Sequence, residues 1–228
     1  MANRCPERKL RCSTPQKGEG MRKGLVVYLF FLYSCSVGNG TGYFHGCLYY
    51  PECNEEKYTV PPQECAAENE NYFLNPEFFA AETTSNGEII LKIQKSSEYM
   101  IQTDGLLIIV PCYEDLSRSL ESQEYIDMVV PAQTEIASLP ECSRVRVAYY
   151  LNDTCSGGEV SFGSGTGTLR IEEMYGGSSS VRENIKAEFD FLFCDPRTPP
   201  QGQTPSCLVL RGNFNFKYAR GVPAQYYP

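Results

Sequence analysis

Two segments decide the fold of this chain: Ile185-Lys-Ala-Glu-Phe-Asp-Phe-Leu-Phe193 and Leu208-Val-Leu-Arg-Gly-Asn-Phe-Asn-Phe-Lys-Tyr218. In the first segment the odd positions are apolar and the even positions mostly polar, and in the second the even positions are largely apolar. A period of two residues is typical of strands that bury one face. A Pro-rich loop, Asp195–Ser206, lies between them. The pattern therefore predicts two half-buried antiparallel strands.

A disulfide between Cys194 and Cys207 sets the register of this hairpin. With these two residues opposite each other, each inward position meets another inward position, and an acid meets a base on the outer face. The predicted pairs are Phe193 with Leu208, Phe191 with Leu210, Phe189 with Gly212, and Asp190 with Arg211. Such a cross-link contributes about 3 kcal/mol in the chain-entropy model. The segment Thr166–Glu172 is predicted to precede the hairpin as a third, meandering strand.

Four further β-type segments lie upstream and are bounded by Gly, Pro, Asn or Asp: Glu88–Gln94, Gly105–Val110, Tyr125–Val130 and Arg144–Leu151. The acidic stretch Glu114–Glu124 is expected to form one short helix or a loop. The expected fold is a single all-β domain over residues 87–228. We expect an antiparallel β-sandwich or a partly closed barrel of about eight strands.

The segment before this domain has a different composition. Residues 43–86 are rich in Cys, Pro, Glu, Asn and Tyr and show no sustained period. We interpret them as a loop-rich, disulfide-rich N-terminal collar. Residues 35–42 are rich in Gly, Ser and Asn, which is typical of a flexible tether.

The first 34 residues have the layout of an export signal. Arg22 and Lys23 follow Met21 and precede an apolar run, Gly24–Tyr33, which ends at Ser34 and Cys35. About ten apolar residues are too few to cross a bilayer core roughly 30 Å thick as a helix. We interpret residues 1–34 as an N-terminal extension and signal peptide that are removed, with Met21 as the start of translation.

The segment Leu32-Tyr33-Ser34-Cys35 resembles the lipobox of bacterial lipoproteins, although Tyr33 is an unusual residue for the middle position. The resemblance implies cleavage before Cys35 and lipidation of its sulfur. Three more stretches resemble β-rich bacterial lipoproteins of the myxobacterial type: Tyr72–Glu82, Gly165–Ile171 and Leu210–Phe216. This resemblance covers about half of the mature chain. It implies an exported protein anchored by lipid in the bacterial cell envelope, at the outer membrane, and carries no active-site residues.

A eukaryotic secreted origin stays open, because the chain contains the sequons Asn39-Gly-Thr41 and Asn152-Asp-Thr154.

The cysteine count agrees with export. Of the 11 cysteines, Cys5 and Cys12 lie upstream of the cleavage point and Cys35 is assigned to lipid. Eight remain, enough for four disulfides of unspecified connectivity apart from Cys194 with Cys207. They are Cys47, Cys53, Cys65, Cys112, Cys142, Cys155, Cys194 and Cys207. A zinc site at the first three is disfavoured, because exported thiols are normally oxidised and paired C-x₂-C spacings are missing, so we predict no metal.

Charge narrows the range of partners. Residues 1–34 carry seven of the 20 basic and two of the 28 acidic residues, so residues 35–228 have a formal net charge of −13. Binding to phosphate depends on cationic side chains, which excludes nucleic acid as an expected partner. A protein or neutral glycan partner is expected instead, besides the membrane contact through the lipid.

The sequence offers little for catalysis. The only histidine, His45, lies in a Gly-rich segment, so we interpret it as an ordinary surface residue. The segment Gly163–Gly167 leads into a strand pattern without Lys, unlike a phosphate-binding loop. The adjacent Glu172 and Glu173 would point to opposite faces of a strand, unlike the paired carboxylates of a glycosidase. No cofactor is predicted.

Tyrosine gives the one positive indication of function. Tyr49-Tyr50 and Tyr149-Tyr150 are the pairs we predict to form a binding face, together with Tyr226-Tyr227, because tyrosine is a low-entropy contact residue. The expected function is a binding or structural role without catalytic activity. The alternative is a carbohydrate-binding or glycan-hydrolysing module, which would need a cleft with clustered carboxylates and aromatic walls.

Overall fold

The computed structural model describes residues 40–61, 65–96, 103–155, 160–177, 183–195 and 204–218. All of them lie in one compact unit of the chain. The predicted signal peptide and Cys35 lie outside the described residues, as do Tyr226 and Tyr227. In the described part of the chain, no helix is long and apolar enough to span a membrane.

One sheet has six strands. They are β1 (Gly40–Tyr49), β2 (Tyr72–Leu74), β6 (Ile126–Val130), β9 (Gly165–Glu173), β10 (Asn184–Cys194) and β11 (Cys207–Lys217). Their order is β2-β1-β11-β10-β9-β6, and every neighbouring pair is antiparallel. The long strands β1, β10 and β11 therefore form its centre, between the short strand β2 on one side and β9 and β6 on the other.

The second sheet has five strands in the order β3-β4-β5-β7-β8, again all antiparallel. They are β3 (Phe78–Thr83), β4 (Ile89–Gln94), β5 (Gly105–Val110), β7 (Arg146–Leu151) and β8 (Val160–Phe162). One short α-helix, α1 (Tyr113–Ser119), follows β5. Four 3₁₀ turns lie at Glu56–Tyr58, Ala67–Asn69, Ile136–Ser138 and Glu141–Ser143.

The inward side chains of both sheets form one hydrophobic core, which makes the domain an antiparallel β-sandwich. The six-stranded sheet contributes Phe44, Phe191, Phe193 and Leu210, and the five-stranded sheet contributes residues such as Ile89, Leu91, Ile108 and Val147. Burial alternates along β10, where every second side chain from Ile185 to Phe193 is buried. The expected all-β sandwich is therefore confirmed.

The predicted hairpin is also confirmed. Strands β10 and β11 pair with Cys194 opposite Cys207, Phe193 opposite Leu208 and Asp190 opposite Arg211. The remaining predicted pairs, Phe191 with Leu210 and Phe189 with Gly212, are present as well. Strand β9 pairs with β10 as the third strand of the meander. The four upstream β-type segments correspond to β4, β5, β6 and β7, and the acidic stretch begins with α1.

The prediction for the N-terminal part is wrong at three places. Gly40–Tyr49 was expected to be tether and loop, but it is β1 and pairs along its whole length with β11. Strands β2 and β3 also fall in the region 43–86 that was predicted to be rich in loops. The described residues between β1 and β2 form loops with two 3₁₀ turns, as expected for a loop-rich segment. Residues 87–228 contain eight described strands, β4 to β11, as expected, and β1 to β3 precede them in the part that was predicted as tether and collar.

The eight predicted cysteines form four disulfides: Cys47–Cys65, Cys53–Cys155, Cys112–Cys142 and Cys194–Cys207. Their Cα–Cα distances are between 4.1 and 5.7 Å, within or near the range that a disulfide requires. Cys53–Cys155 is buried and connects the segment after β1 with the segment after β7, so it links the connections of the two sheets.

Candidate functional site

The six-stranded sheet presents one of its faces away from the core. A row of outward side chains crosses all six strands, since each residue is the register partner of the next: Val129, Thr168, Asp190, Arg211, His45 and Phe73. With neighbouring strands about 4.8 Å apart, this row is roughly 24 Å long. We call this surface the outer face.

Exposed apolar side chains are concentrated on the outer face. Of the six large apolar residues that are exposed in the described part of the chain, Tyr43, Phe73, Val129 and Leu192 point outward from its strands. Tyr125, the residue before β6, joins them because the Arg170 guanidinium lies over its ring at 4.2 Å. Only Val60 lies elsewhere, in a loop. The five residues do not form one continuous patch, since polar and charged side chains separate Val129 from Phe73 in the row across the sheet. Their concentration on one face marks a candidate interaction surface.

Three rings form what we call the aromatic ladder: His45, Tyr43 and Phe73. The ring centroids of Tyr43 and His45 are 5.3 Å apart, and those of Tyr43 and Phe73 are 6.5 Å apart, both in stacked orientation. The first two residues alternate along β1 with the buried Phe44, and Phe73 lies on the neighbouring β2. Phe73 is 56% exposed and Tyr43 is 43% exposed, so both rings are accessible to solvent.

The ladder adjoins a charged cluster. His45 Nδ1 lies 2.7 Å from Oε1 of Glu70, whose side chain is only 8% exposed. A carboxylate can only accept, so Nδ1 is the donor. Arg211 lies 3.8 Å from the same carboxylate and donates through NH1 to the carbonyl of Cys65 and through Nε to Asp190. The only histidine is therefore a fixed member of a network rather than a free surface residue.

Charges elsewhere on the outer face are also paired. Arg170 donates to both carboxylate oxygens of Asp127, at 2.8 and 3.1 Å. These hydrogen bonds hold the pKa of Asp127 below its usual value. Because opposite charges lie side by side, the face has no large patch of one sign around its apolar residues.

A cleft lies at the end of the same sheet. This cleft of about 660 Å³ is lined by Leu120, Gln123, Glu124, Glu172, Glu173, Met174, Glu183, Asn184 and Lys217. Glu172 pairs with Lys186, and Glu183 pairs with Lys217. Among the described residues that line the cleft there is no aromatic side chain. It therefore lacks the aromatic walls that a glycan-hydrolysing site would need.

The predicted tyrosine face is wrong for two of its four described members. Tyr149 is fully buried and Tyr50 is 8% exposed, while Tyr49 and Tyr150 are half-buried. The alternation along β7 turns Tyr149 into the core and Tyr150 outward, onto the five-stranded sheet. The structure therefore brings none of the predicted pairs together on one surface.

Tyr149 instead belongs to a buried polar network. Its hydroxyl lies 2.5 Å from the hydroxyl of Tyr72, which donates to Asp104 Oδ2 at 3.1 Å. The Asp104 carboxylate also accepts the backbone N–H groups of residues 152, 153 and 154 and the hydroxyl of Thr154. Burial raises the pKa of Tyr72 well above its usual value. Both Asp104 and Tyr149 are 0% exposed, so we assign this network to stability.

One group of potential metal ligands occurs among the described residues: Cys112, Asp115 and Cys142. The two sulfurs form a disulfide, so neither is a thiolate ligand. One exposed carboxylate is left, which is too few ligands for a site.

Comparison of the chain with protein-family models, with curated proteins and with solved structures finds no match. Its class is therefore defined by its own fold and surface: a disulfide-linked antiparallel β-sandwich with an exposed aromatic ladder on one sheet.

Tyr43, His45 and Phe73 were not predicted as a site. The relevant signal was present in Gly42-Tyr-Phe-His-Gly-Cys47, where Tyr43 and His45 alternate with Phe44. The neighbouring glycines and cysteines obscured this alternation, and the position of Phe73 depends on pairing between β1 and β2.

Proposed function

We propose that this protein is an exported binding protein, held in the bacterial cell envelope by lipid on Cys35, that binds its partner through the outer face without catalytic turnover. The observation that carries this proposal is the concentration on one face of five of the six exposed large apolar side chains among the described residues. Tyrosine and phenylalanine supply much of the energy at binding surfaces, because large rings bury area at low entropic cost.

The charges of the face favour a partner that is not a polyanion. In each of the ion pairs Asp127–Arg170 and Asp190–Arg211, the acidic and the basic side chain offset each other's charge. Glu70 pairs with His45. The proposed mature chain has a formal net charge of −13, which repels phosphate-rich and other acidic polymers at long range. A protein surface of the envelope is the partner that these features support best.

The position of the ladder also fits a partner near the membrane. Tyr43 lies eight residues after Cys35, and eight residues span at most about 29 Å when fully extended. A lipid on Cys35 would therefore keep the aromatic ladder within that distance of the membrane surface.

A second candidate, binding of a neutral glycan, is supported by the ladder itself. Aromatic rings pack against the C–H faces of sugar rings, and the outward Asn213 and Thr168 offer hydrogen bonds close to Tyr43 and Asp190. Hydrolysis is not proposed, because the acidic cleft has ion-paired glutamates and no aromatic lining residue among those described.

Anchoring is tested by replacing the proposed lipid-bearing residue. We expect Cys35→Ala to abolish incorporation of an alkyne-tagged fatty acid and to leave the protein unprocessed or released from the membrane fraction, since the thioether needs that sulfur. Ser36→Ala, which changes the next residue and keeps the sulfur of Cys35, is the control and should be labelled normally. Undiminished label on Cys35→Ala would overturn the lipid anchor.

Binding through the outer face is tested with Tyr43→Ser/Phe73→Ser. We expect this double variant to reduce affinity for cross-linked envelope proteins, or for neutral glycans on an array, by roughly tenfold or more, since each ring supplies contact area. Val60→Ser is the matched control, because Val60 is 64% exposed but lies off the face. Equal binding by both variants, with unchanged circular dichroism, would contradict the proposal.

A further inference from the structure

The outer side of the five-stranded sheet contains an apolar cleft of about 240 Å³. Outward residues of β5 and β7 form its floor, and the loops after β6 and before β9 also line it. The lining residues are Leu107, Ile109, Pro131, Gln133, Ile136, Arg146, Val147, Ala148, Tyr150, Gly163, Ser164 and Gly165. Sheet faces that point away from the core are ordinarily polar, so the aliphatic floor calls for an explanation.

Ala148 shows how this floor differs from the core. It is only 8% exposed, yet it does not belong to the hydrophobic core between the sheets, since its register partner is the outward Leu107. Leu107, Ile109 and Tyr150 around it are half-buried. The floor of the cleft therefore lies outside the core, although the core residue Val147 also lines the cleft, and it lies on the sheet opposite to the outer face.

Among the described residues that line this cleft, one side chain is charged, and it is a cation, Arg146. One of its terminal nitrogens lies 2.6 Å from Glu88 Oε1, and Glu88 lines an adjoining cleft of about 310 Å³ that shares Ile136 and Arg146. A guanidinium has five N–H donors, so one hydrogen bond leaves donors for a second anion. Glu88 offsets the charge of Arg146, so an anionic ligand in this cleft would be held by the remaining N–H donors of the guanidinium rather than by an excess of positive charge.

We propose that the cleft binds an aliphatic monocarboxylate of medium chain length, with the alkyl chain on Leu107, Ile109 and Ala148 and the carboxylate at Arg146. Aliphatic walls suit an alkyl chain. The cleft has the volume of about eight water molecules at ~30 Å³ each, so a chain of medium length is the probe of suitable size. The site, its ligand class and its location on the opposite sheet are independent of the binding role proposed for the outer face.

The experiment is calorimetric titration of the full chain with straight-chain carboxylates of increasing length. We expect affinity to rise about fourfold for each added methylene up to octanoate and to level off beyond it, because the cleft is then filled. Octanoate should bind more tightly than octanol, and octylamine should bind least, because of the charge of Arg146.

Two variants locate the binding. Arg146→Gln should weaken octanoate at least about tenfold, to the level of octanol, while octanol is unaffected. Ala148→Phe should weaken both ligands by filling the floor. Arg170→Gln, the same substitution on the opposite sheet, is the matched control and should bind octanoate normally. Circular dichroism of each variant checks that it is folded.

The proposal would be overturned by any of three results. If octanoate shows no saturable binding at millimolar concentration, the cleft is not a binding site for it. If octylamine binds as tightly as octanoate, the cleft does not select for a carboxylate. Octanoate affinity that Arg146→Gln leaves unchanged places the carboxylate elsewhere, whether or not Ala148→Phe folds.

Discussion

Tyr72 belongs to a network of hydrogen-bonded polar side chains inside the core. It is 1% exposed and donates to a carboxylate, Asp104, that is itself fully buried. A buried charge costs several kcal/mol of desolvation unless hydrogen bonds compensate it. Backbone N–H groups of residues 152–154 supply that compensation, so the carboxylate fixes the turn after β7 and, next to it, Cys155. The network stabilises a particular loop geometry rather than the sheets in general.

Because of Tyr72, we expect the free energy of unfolding to fall as the pH becomes alkaline. Its pKa in the folded protein is raised, chiefly by burial, above the usual value of about 10 that it has in the unfolded chain. Below about pH 10 both states are protonated; above it, the unfolded state loses the proton first, so the free energy of unfolding falls as pH rises toward the folded-state pKa. We expect Tyr72→Phe to reduce this pH slope between about pH 9.5 and 11, as measured by urea unfolding.

At neutral pH the same variant should be less stable by about 1–3 kcal/mol, because Asp104 loses a donor. Tyr125→Phe is the matched control, since Tyr125 is exposed and should leave the unfolding curve at neutral pH nearly unchanged. An alkaline slope in Tyr72→Phe identical to that of the unmodified chain would show that Tyr72 does not carry this dependence.

At the scale of elements, β10 and β11 were predictable and β1 was not. Both strands of the hairpin show an unbroken period of two, and one cysteine pair sets their register, so local pattern and tertiary pairing agree. Strand β1 begins Gly40-Thr-Gly42, which resembles a linker. A Cβ at Gly40 would lie 2.6 Å from the Phe79 ring and 2.7 Å from Phe216 Cβ. The glycine therefore makes room for aromatic packing, and this reason is not visible in one sequence.

The aromatic ladder could not be predicted for a related reason. Its rings come from β1 and β2, which are 23 residues or more apart along the chain and meet only through the register that places His45 opposite Phe73. The apolar cleft around Tyr150 depends in the same way on loops from distant parts of the chain. The residue types predicted aromatic contacts, but the strand register determines which rings face solvent.

Gly167 in β9 gives a prediction about the sheet itself. Its φ is +141°, and a Cβ there would lie 2.0 Å from the backbone oxygen of Asp190 on β10. We expect Gly167→Ala to lower the free energy of unfolding by about 3 kcal/mol, because the β9–β10 ladder must shift. Chemical denaturation measures this.

Gly163→Ala is the control for Gly167→Ala, because a Cβ at Gly163 meets no atom within 4 Å. This variant should change stability by less than about 1 kcal/mol. Equal midpoints for the two variants would mean that β9 and β10 tolerate a side chain at position 167 and that the close approach is not constraining.

At the scale of the whole molecule, the disulfides differ in how much chain they close. Cys53–Cys155 has a sequence separation of 102 residues and joins the segment after β1 to the segment after β7. Cys194–Cys207 has a separation of only 13 and closes one hairpin whose strands already pair. The long cross-link removes more conformational freedom from the unfolded chain, so it should contribute more to stability.

We expect Cys53→Ala/Cys155→Ala to lower the free energy of unfolding by about 4.7 kcal/mol, and Cys194→Ala/Cys207→Ala by about 2.9 kcal/mol, in the chain-entropy model. Guanidinium unfolding without reductant measures both. In each double variant, alkylation and mass spectrometry must first show that the other three disulfides are intact.

The two cysteines of the long cross-link are also more buried, 7% and 2% exposed, so their replacement adds the cost of a cavity in the same direction. A larger loss from the hairpin pair than from the long pair would therefore contradict the proposed role of Cys53–Cys155 as the main covalent link across the sandwich.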